Sequence, residues 1–367
     1  MHGKHLPNRF VVAPMSRVSA TLSGVPTPVM KNYYSAFAKG GFGIIITQGL
    51  YTDNYFSQSY PHQPGMVTTQ QVDSWRIVTE EVKKYSAVFI AQLMHGGAIS
   101  QSLSATIAPS AIQPIGRKMP EYGGGEGGFP FPADMRKQDI SDVIEGYIQS
   151  AINAHKAGFD GIEIHAANGY LLDQFLTPYT NLRNDEYGGT IENRFRVIKE
   201  IIQGIRAAMP PAFIIGLRLS EGKVNNLFYR WSEGSEMAKA MLEEVNKIRP
   251  DYIHIAAESG NWQRDCTYSD GSSFTGLAKQ ITALPVIANG GLHDLEKAGE
   301  VLSSGQADLL AIGKAALVNP GWPLKILKAQ EPILFAPEFI KPSATIEHAN
   351  KVRSSILNRL ETESAFT

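Results

Sequence analysis

The chain has 367 residues, 43% of them hydrophobic and 19% charged, with a formal net charge of -1; it has enough apolar material for a large core, and neither a basic excess suited to nucleic acid nor an acidic tail. Its one cysteine, Cys266, excludes an internal disulfide, a cysteine-ligated zinc site and an iron–sulfur cluster, and suits a reducing compartment. No apolar run reaches the ~18 residues of a membrane helix, and the opening MHGKHLPNRF lacks the apolar core of a signal peptide, so a cytoplasmic protein with no membrane partner is expected.

Short apolar runs of strand length recur between longer amphipathic segments. The first, 10–13, leads into APMSR (13–17), and the second, 44–48, into TQG (47–49). TQQVDSWRIVTEEVKKY (69–85) carries apolar residues at helical spacing; the third run, 88–92, follows it and ends in Gln92, with His95 just beyond. The largest irregular stretch, 99–135, comes next. An excursion of this length in a compact domain is usually functional, and it is expected to form a lid or to meet a partner. Its run Gly123–Gly128 matches GxGxxG, but no strand precedes it and no helix directly follows, so it is not read as a dinucleotide fingerprint.

A helix over 140–158, with Ser141 as its N-cap and Gly158 closing it, precedes the fourth run, 161–165. Helices over 192–209, 232–248 and 294–305 lie among the remaining runs, 214–218, 252–256, 286–288 and 309–312. The tail, 330–367, is mixed and polar and is read as an extension that closes on a helix with a frayed end. Eight strands alternating with helices predict one α/β domain over 1–367, a (β/α)8 TIM barrel; an open doubly wound sheet is the competing arrangement.

Chemistry in such a barrel sits where the strands end. Gln92, His165 and Arg218 end neighbouring strands and would converge on one mouth. The last two strands end in ANGG (288–291) and IGKA (312–315). Their glycines let a ligand phosphate approach backbone N–H groups, and Lys314 adds a point charge. Each feature alone has a plainer reading: a strand-end histidine is usually structural, ANGG is a common turn, and Glu163 would satisfy Arg218 inside the barrel. Together they favour a phosphorylated cofactor and a small-molecule substrate, with no metal.

The chain resembles the Old Yellow Enzyme family of FMN-dependent ene-reductases. The resemblance runs through NRFVVAPMSR (8–17), QLMHGG (92–97), APSAI (108–112), GIEIHAANGYLLDQFLTPYTNLRNDEYGGTIENR (161–194), GLRLS (216–220), VIANGG (286–291) and DLLAIGKAALVNP (308–320). It implies a (β/α)8 barrel and tightly bound FMN. Pro14, Met15 and Ser16 would line the flavin, Gly49 and Gln92 its pyrimidine side, and Arg218 its N1/O2 edge. Asn289, Gly290, Gly291, Gly313 and Lys314 belong to the implied cofactor site, with the last four at the phosphate. His165 and Asn168 would hold an anionic oxygen above the ring, and Tyr170 would donate a proton. The implied activity is reduction of the activated C=C bond of α,β-unsaturated carbonyl or nitro compounds, with NADPH or NADH as reductant, in a monomer or homo-oligomer. Another FMN barrel dehydrogenase and a flavin-binding redox module are the alternatives.

The chain departs from the family pattern at several positions. Ser16 stands where Cys or Thr is common, Val18 carries no phenol, and Lys314 replaces an arginine, so phosphate would meet a point charge rather than a fork. The chain starts almost at NRF, where members usually carry a further short segment. A single cysteine excludes the iron–sulfur cluster of the related dienoyl-thioester reductases. Arg183, Asp185, Glu192 and Arg194 are read as a salt-bridged brace that seats the fourth helix.

Overall fold

A period of two along short buried strands sets the architecture. Val11, Ile44, Ile46, Val88, Ile90, Ile214, Ile287 and Leu309 meet one another in one cluster, whereas the alternate residues Val12, Ile45, Phe89, Ile162 and Leu217 belong to a second one with the helices. Strands buried on both faces are what a sheet wrapped in helices requires. The computed structural model, which describes residues 3–364, resolves this pattern into eight strands: Phe10–Val12 (β1), Ile44–Ile46 (β2), Val88–Met94 (β3), Gly161–Asn168 (β4), Ile214–Lys223 (β5), Tyr252–Ala256 (β6), Val286–Asn289 (β7) and Leu309–Ile312 (β8). All pair in parallel with their sequence neighbours, and β1 pairs with both β2 and β8. The sheet therefore closes on itself: the protein is a (β/α)8 barrel and not an open doubly wound sheet.

The outer helices are Pro28–Lys39 (α1), Thr69–Val82 (α2), Lys137–Lys156 (α3), Ile191–Ala208 (α4), Ser235–Ile248 (α5), Phe274–Thr282 (α6), Leu295–Ser303 (α7) and Ile346–Ser364 (α8). Local chemistry explains their ends. Thr68 and Gln71 form a capping box at α2. Thr190 caps α4, and Asp294 caps α7 through two backbone N–H groups. Helix α3 starts earlier than expected: Asp139 accepts from the Arg136 backbone at 2.7 Å and pairs with its guanidinium, which seeds a turn ahead of Ser141 and places that serine inside the helix. Gly158, at φ +91, does follow its C-terminus. Helix α5 begins at Ser235 because Gly234, at φ +55 and ψ -125, breaks the helical path. The frayed end expected for the tail falls on 365–367, outside the described residues.

Four strands outrun their sequence spans: β3 continues to Met94, β4 to Asn168, β5 to Lys223 and β7 to Asn289. The extensions of β4, β5 and β7 carry polar residues, among them Asn168, Ser220, Glu221, Lys223 and Asn289, where apolar periodicity gives no signal. Between β3 and α3, two short strands, Ile107–Ala108 and Ala133–Asp134, pair with each other, and Pro120–Tyr122 forms one 3-10 turn. The proposed brace is only partly ionic. Arg183 pairs with Asp185 at 2.6 Å and bonds the carbonyl of Met135, whereas Arg194 bonds the Leu176 carbonyl at 2.8 Å rather than a carboxylate. Among the described residues no helix is long and apolar enough to cross a membrane.

Candidate active site

The parallel register brings a set of polar side chains together inside the barrel. Gln92 lies beside Glu163, and His165 beside Arg218, which in turn lies beside His254. Glu163 is the hub. One carboxylate oxygen accepts from Gln92 Nε2 at 2.8 Å; the other accepts from the Tyr252 hydroxyl at 3.0 Å and meets His254 Nδ1 at 2.9 Å. Tyr252 reaches across because residue 216 is glycine: a Cβ there would overlap the phenol ring. Burial pushes the Glu163 carboxyl up, but His254, then Arg218 and Gln92, outweigh it and hold it at about 2. The carboxylate therefore stays ionised, and the Gln92 amide is held with its oxygen left for the cavity.

Arg218 is buried, and its Nε and Nη1 atoms have no hydrogen-bond partner. Glu163 lies close enough to favour its charge but leaves those donors open, so the reading in which Glu163 satisfies Arg218 does not hold. An orphaned buried guanidinium is costly. Here it faces a cavity of about 440 Å³ at the C-terminal ends of the strands, a place for a ligand acceptor or anion. His165 lies on the same wall. Burial first, then the neighbouring Arg218 charge, lowers its pKa to about 3, so the ring is neutral, and its Nδ1 has no partner.

The turn after β4 explains the Asn-Gly pair that follows His165. Asn168 and Gly169 both take left-handed backbone, at φ +65 and +86, which asparagine and glycine tolerate best. Gly169 N–H donates to Asp173, which pairs with Lys223 at 2.6 Å; both side chains are 2% exposed. The turn aims Tyr170 over the mouth, its ring 5.2 Å from that of His165. Its hydroxyl is hydrogen-bonded to that of Tyr60. Burial, then Tyr60, raises the Tyr170 pKa well above its ordinary value, so the phenol keeps its proton.

Every site residue named from the sequence lines this one cavity: Pro14, Met15, Ser16, Gly49, Gln92, His165, Asn168, Tyr170, Arg218, Asn289, Gly290, Gly291, Gly313 and Lys314. The glycines differ in why they are glycine. At Gly49 a Cβ would overlap the Met94 sulfur, which is a packing reason. Gly290 sits at φ +124, and its Cβ would lie 2.5 Å from Ala257 Cβ and 2.6 Å from Trp262 N, so only glycine lets this loop turn under a ligand. Gly313 has room for a side chain. Lys314 Nζ stands at this end of the cavity, 5.5 Å from the Phe335 ring centroid.

Other lining residues escaped the sequence reading. Tyr60 and Tyr122 come from irregular segments with no periodic signal. Glu258, in the loop after β6, accepts a hydrogen bond from Asn168 Nδ2; the strand-end rule that found Gln92 would have found it. Phe335 and Ile340 close one side. Their segment is tied across the mouth: Arg17 Nη2 donates to the Thr345 carbonyl at 2.6 Å, and Ala344 N to the Glu121 carbonyl at 2.8 Å.

Comparison with known proteins extends this picture. Residues 1–332 match the model of the NADH:flavin oxidoreductase / NADH oxidase family. The chain is 31% identical over 335 residues to a probable flavin mononucleotide-dependent alkene reductase of Leishmania infantum, covering 87% of this chain and 86% of that one. It is 33% identical over 329 residues to a putative 12-oxophytodienoate reductase 4 of Oryza sativa subsp. japonica, covering 87% and 82%. Among solved structures it is similar to the old yellow enzyme homologue from Zymomonas mobilis, with a TM-score of 0.80, 27% identity and 93% and 95% of the two chains covered. Morphinone reductase in complex with tetrahydroNAD gives a TM-score of 0.82 at 28% identity, with 94% and 93% covered.

Proposed function

The chain belongs to the NADH:flavin oxidoreductase / NADH oxidase family, on its Old Yellow Enzyme side, and we propose that this FMN-dependent oxidoreductase spends NADPH or NADH on the activated C=C bond of α,β-unsaturated carbonyl or nitro compounds. The observation that carries the reading is the pair of open Arg218 donors, buried on the same cavity wall as neutral His165 and protonated Tyr170.

The residues present fit FMN. Gly290, Gly291, Gly313 and Lys314 suit its phosphate, Gln92 offers an acceptor, and Arg218 offers donors to the edge where a reduced flavin carries negative charge. Pro14, Met15, Ser16, Gly49 and Asn289 complete the lining. When bound, FMN supplies the hydride that reaches the β-carbon of the alkene. The protein's part is to steer charge and a proton. His165 and Asn168 donate to the carbonyl or nitro oxygen as it becomes negative, and losing one such donor typically costs about 10²–10³ in rate. Tyr170 supplies the proton to the α-carbon. Met119 and Tyr122 of the 99–135 excursion, and Phe335 and Ile340 of the extension from 330, also line the cavity.

The pure protein should be yellow, or become so with FMN. NADPH or NADH should bleach it under argon, and 2-cyclohexenone should restore the colour. A protein that takes up no FMN overturns the reading; one that is bleached but recovers colour only with oxygen is a redox module instead.

A further inference from the structure

The loop after β6 opens Ala257-Glu258-Ser259-Gly260, and the Glu258 carboxyl has no part in the hydride and proton transfers. Glu258 lines the cavity beside Tyr170, Arg218 and Lys314 and accepts the Asn168 amide. The Asn168 backbone is held in place. Its left-handed backbone is fixed by the bond from its N–H to Ser220 Oγ at 2.7 Å, and Ser220 Oγ donates to the Gly222 carbonyl at 2.8 Å. A carboxyl group is thus built in next to one half of the pair that receives an anionic oxygen.

The charged and titratable groups that face it come from several elements: Tyr170 beyond β4, Arg218 on β5, Tyr60 after β2, Tyr122 in the excursion, Asp265 beyond its own loop and Lys314 after β8. Burial chiefly raises its pKa, to about 7; Asp265 adds to the rise, while Arg218, Lys314 and the Asn168 bond oppose it.

We propose that Glu258 determines substrate specificity by charge: its carboxylate, bonded to Asn168, disfavours ligands that are anionic on arrival and reserves the His165–Asn168 pair for neutral compounds that become negative only as they react. This rests on the ene-reductase reading above. An anionic ligand meets the carboxylate with a full charge; a neutral carbonyl or nitro compound meets it with a dipole, and with only partial charge in the transition state. The discrimination is the difference between the two. It acts when Glu258 is ionised and fades as the carboxyl is protonated.

The test uses the FMN-loaded, oxidised enzyme and reads ligand binding from the flavin absorbance. The anionic probe is 2,4-dinitrophenolate, which stays ionised throughout the range; nitrobenzene is the neutral control. Between about pH 6 and pH 8.5 the dinitrophenolate Kd of the parent should weaken by about tenfold, a modest value for like charges at close range in a partly hydrated site. Nitrobenzene binding should stay level. In Glu258→Gln the dinitrophenolate Kd should be level too, and about tenfold tighter than the parent's at the higher pH. Glu258→Asp, which keeps a carboxylate there, should retain the pH dependence and stands in if the glutamine variant fails to fold. Level binding in the parent, or the same pH dependence in Glu258→Gln, overturns the proposal while enone reduction stands. A chain that reduces no enone overturns the reading beneath it.

Discussion

The hydroxyl groups of Tyr60 and Tyr170 are hydrogen-bonded to each other in the buried wall of the site, although 110 residues separate them. Burial raises both pKa values, so neither phenol ionises near neutral pH, and Tyr60 can hold the Tyr170 hydroxyl in one orientation. Tyr170→Phe should leave bleaching by NAD(P)H intact and slow enone reduction by about 10²-fold or more. Tyr60→Phe should slow the same step by less. Stopped-flow absorbance separates the two half-reactions, and an unchanged enone step in Tyr170→Phe would remove the proton-donor role.

Arg218 predicts a coupling between cofactor and stability. FMN at a thousandfold above its Kd should add about 4 kcal/mol, read as a rise in Tm. Without FMN, Arg218→Met should unfold about as easily as the parent, because removing a buried cation with open donors offsets the loss of a counter-charge to Glu163. With FMN, its gain in Tm should shrink. A full gain in this variant means that Arg218 does not face the cofactor.

Gly290→Ala tests the cradle. The added Cβ would crowd Ala257 and the Trp262 backbone at a φ of +124, so the loop must move. FMN affinity should fall by at least about tenfold, with a smaller loss of stability, since strain at such a residue costs of order 1–3 kcal/mol. Gly313→Ala, where space exists, should bind FMN far more like the parent; equilibrium dialysis measures both.

Acid should unfold the protein in two overlapping ranges. His165 titrates at about 3 in the fold against an ordinary 6.5, so the unfolded chain binds the extra proton, and stability falls as pH drops from 6.5 toward 3. Glu163 titrates at about 2 against 4.5, so its contribution is present above 4.5 and is lost between 4.5 and 2. His165→Gln should flatten the upper range, lowering the slope by up to about 1.4 kcal/mol per pH unit. Urea unfolding at about pH 5 and pH 7 checks the sign. His95 and His254, also lowered by burial, keep some slope in place.

The buried Lys223–Asp173 pair anchors the turn that aims Tyr170. Removing one partner should cost about 3–5 kcal/mol, because the other is left buried without its counter-charge; replacing both by apolar residues should cost less. Denaturant midpoints of Lys223→Met, Asp173→Leu and the double variant measure this directly.

The sequence made the barrel legible because each strand is short and apolar, whereas Glu163, His165 and Arg218 are polar exceptions at a spacing of two along neighbouring strands. It made the cofactor face legible for the same reason. It did not make the hydrogen bonds legible. Nothing in the chain order says that Tyr252 reaches Glu163 across Gly216, or that Arg218 is left open. The family resemblance implies Asn168 as a donor; the structure adds a conformational reason for it, since it occupies the left-handed turn and is tied to Ser220 and Glu258. Tyr60 lies in a segment whose form depends wholly on tertiary contacts, so no local pattern marks it.

The bond from Arg17 to the Thr345 carbonyl joins residues 328 apart. The chain as far as β7 already contains Gln92, His165, Tyr170, Arg218 and Asn289. It still lacks the β8 partner that closes the ring on β1, and it lacks the segment that Arg17 holds against the mouth. The cavity is therefore complete only when segments from both ends of the described chain have met. A cut between Lys314 and Phe335 would therefore leave every strand of the barrel in place and still open one wall of the cavity.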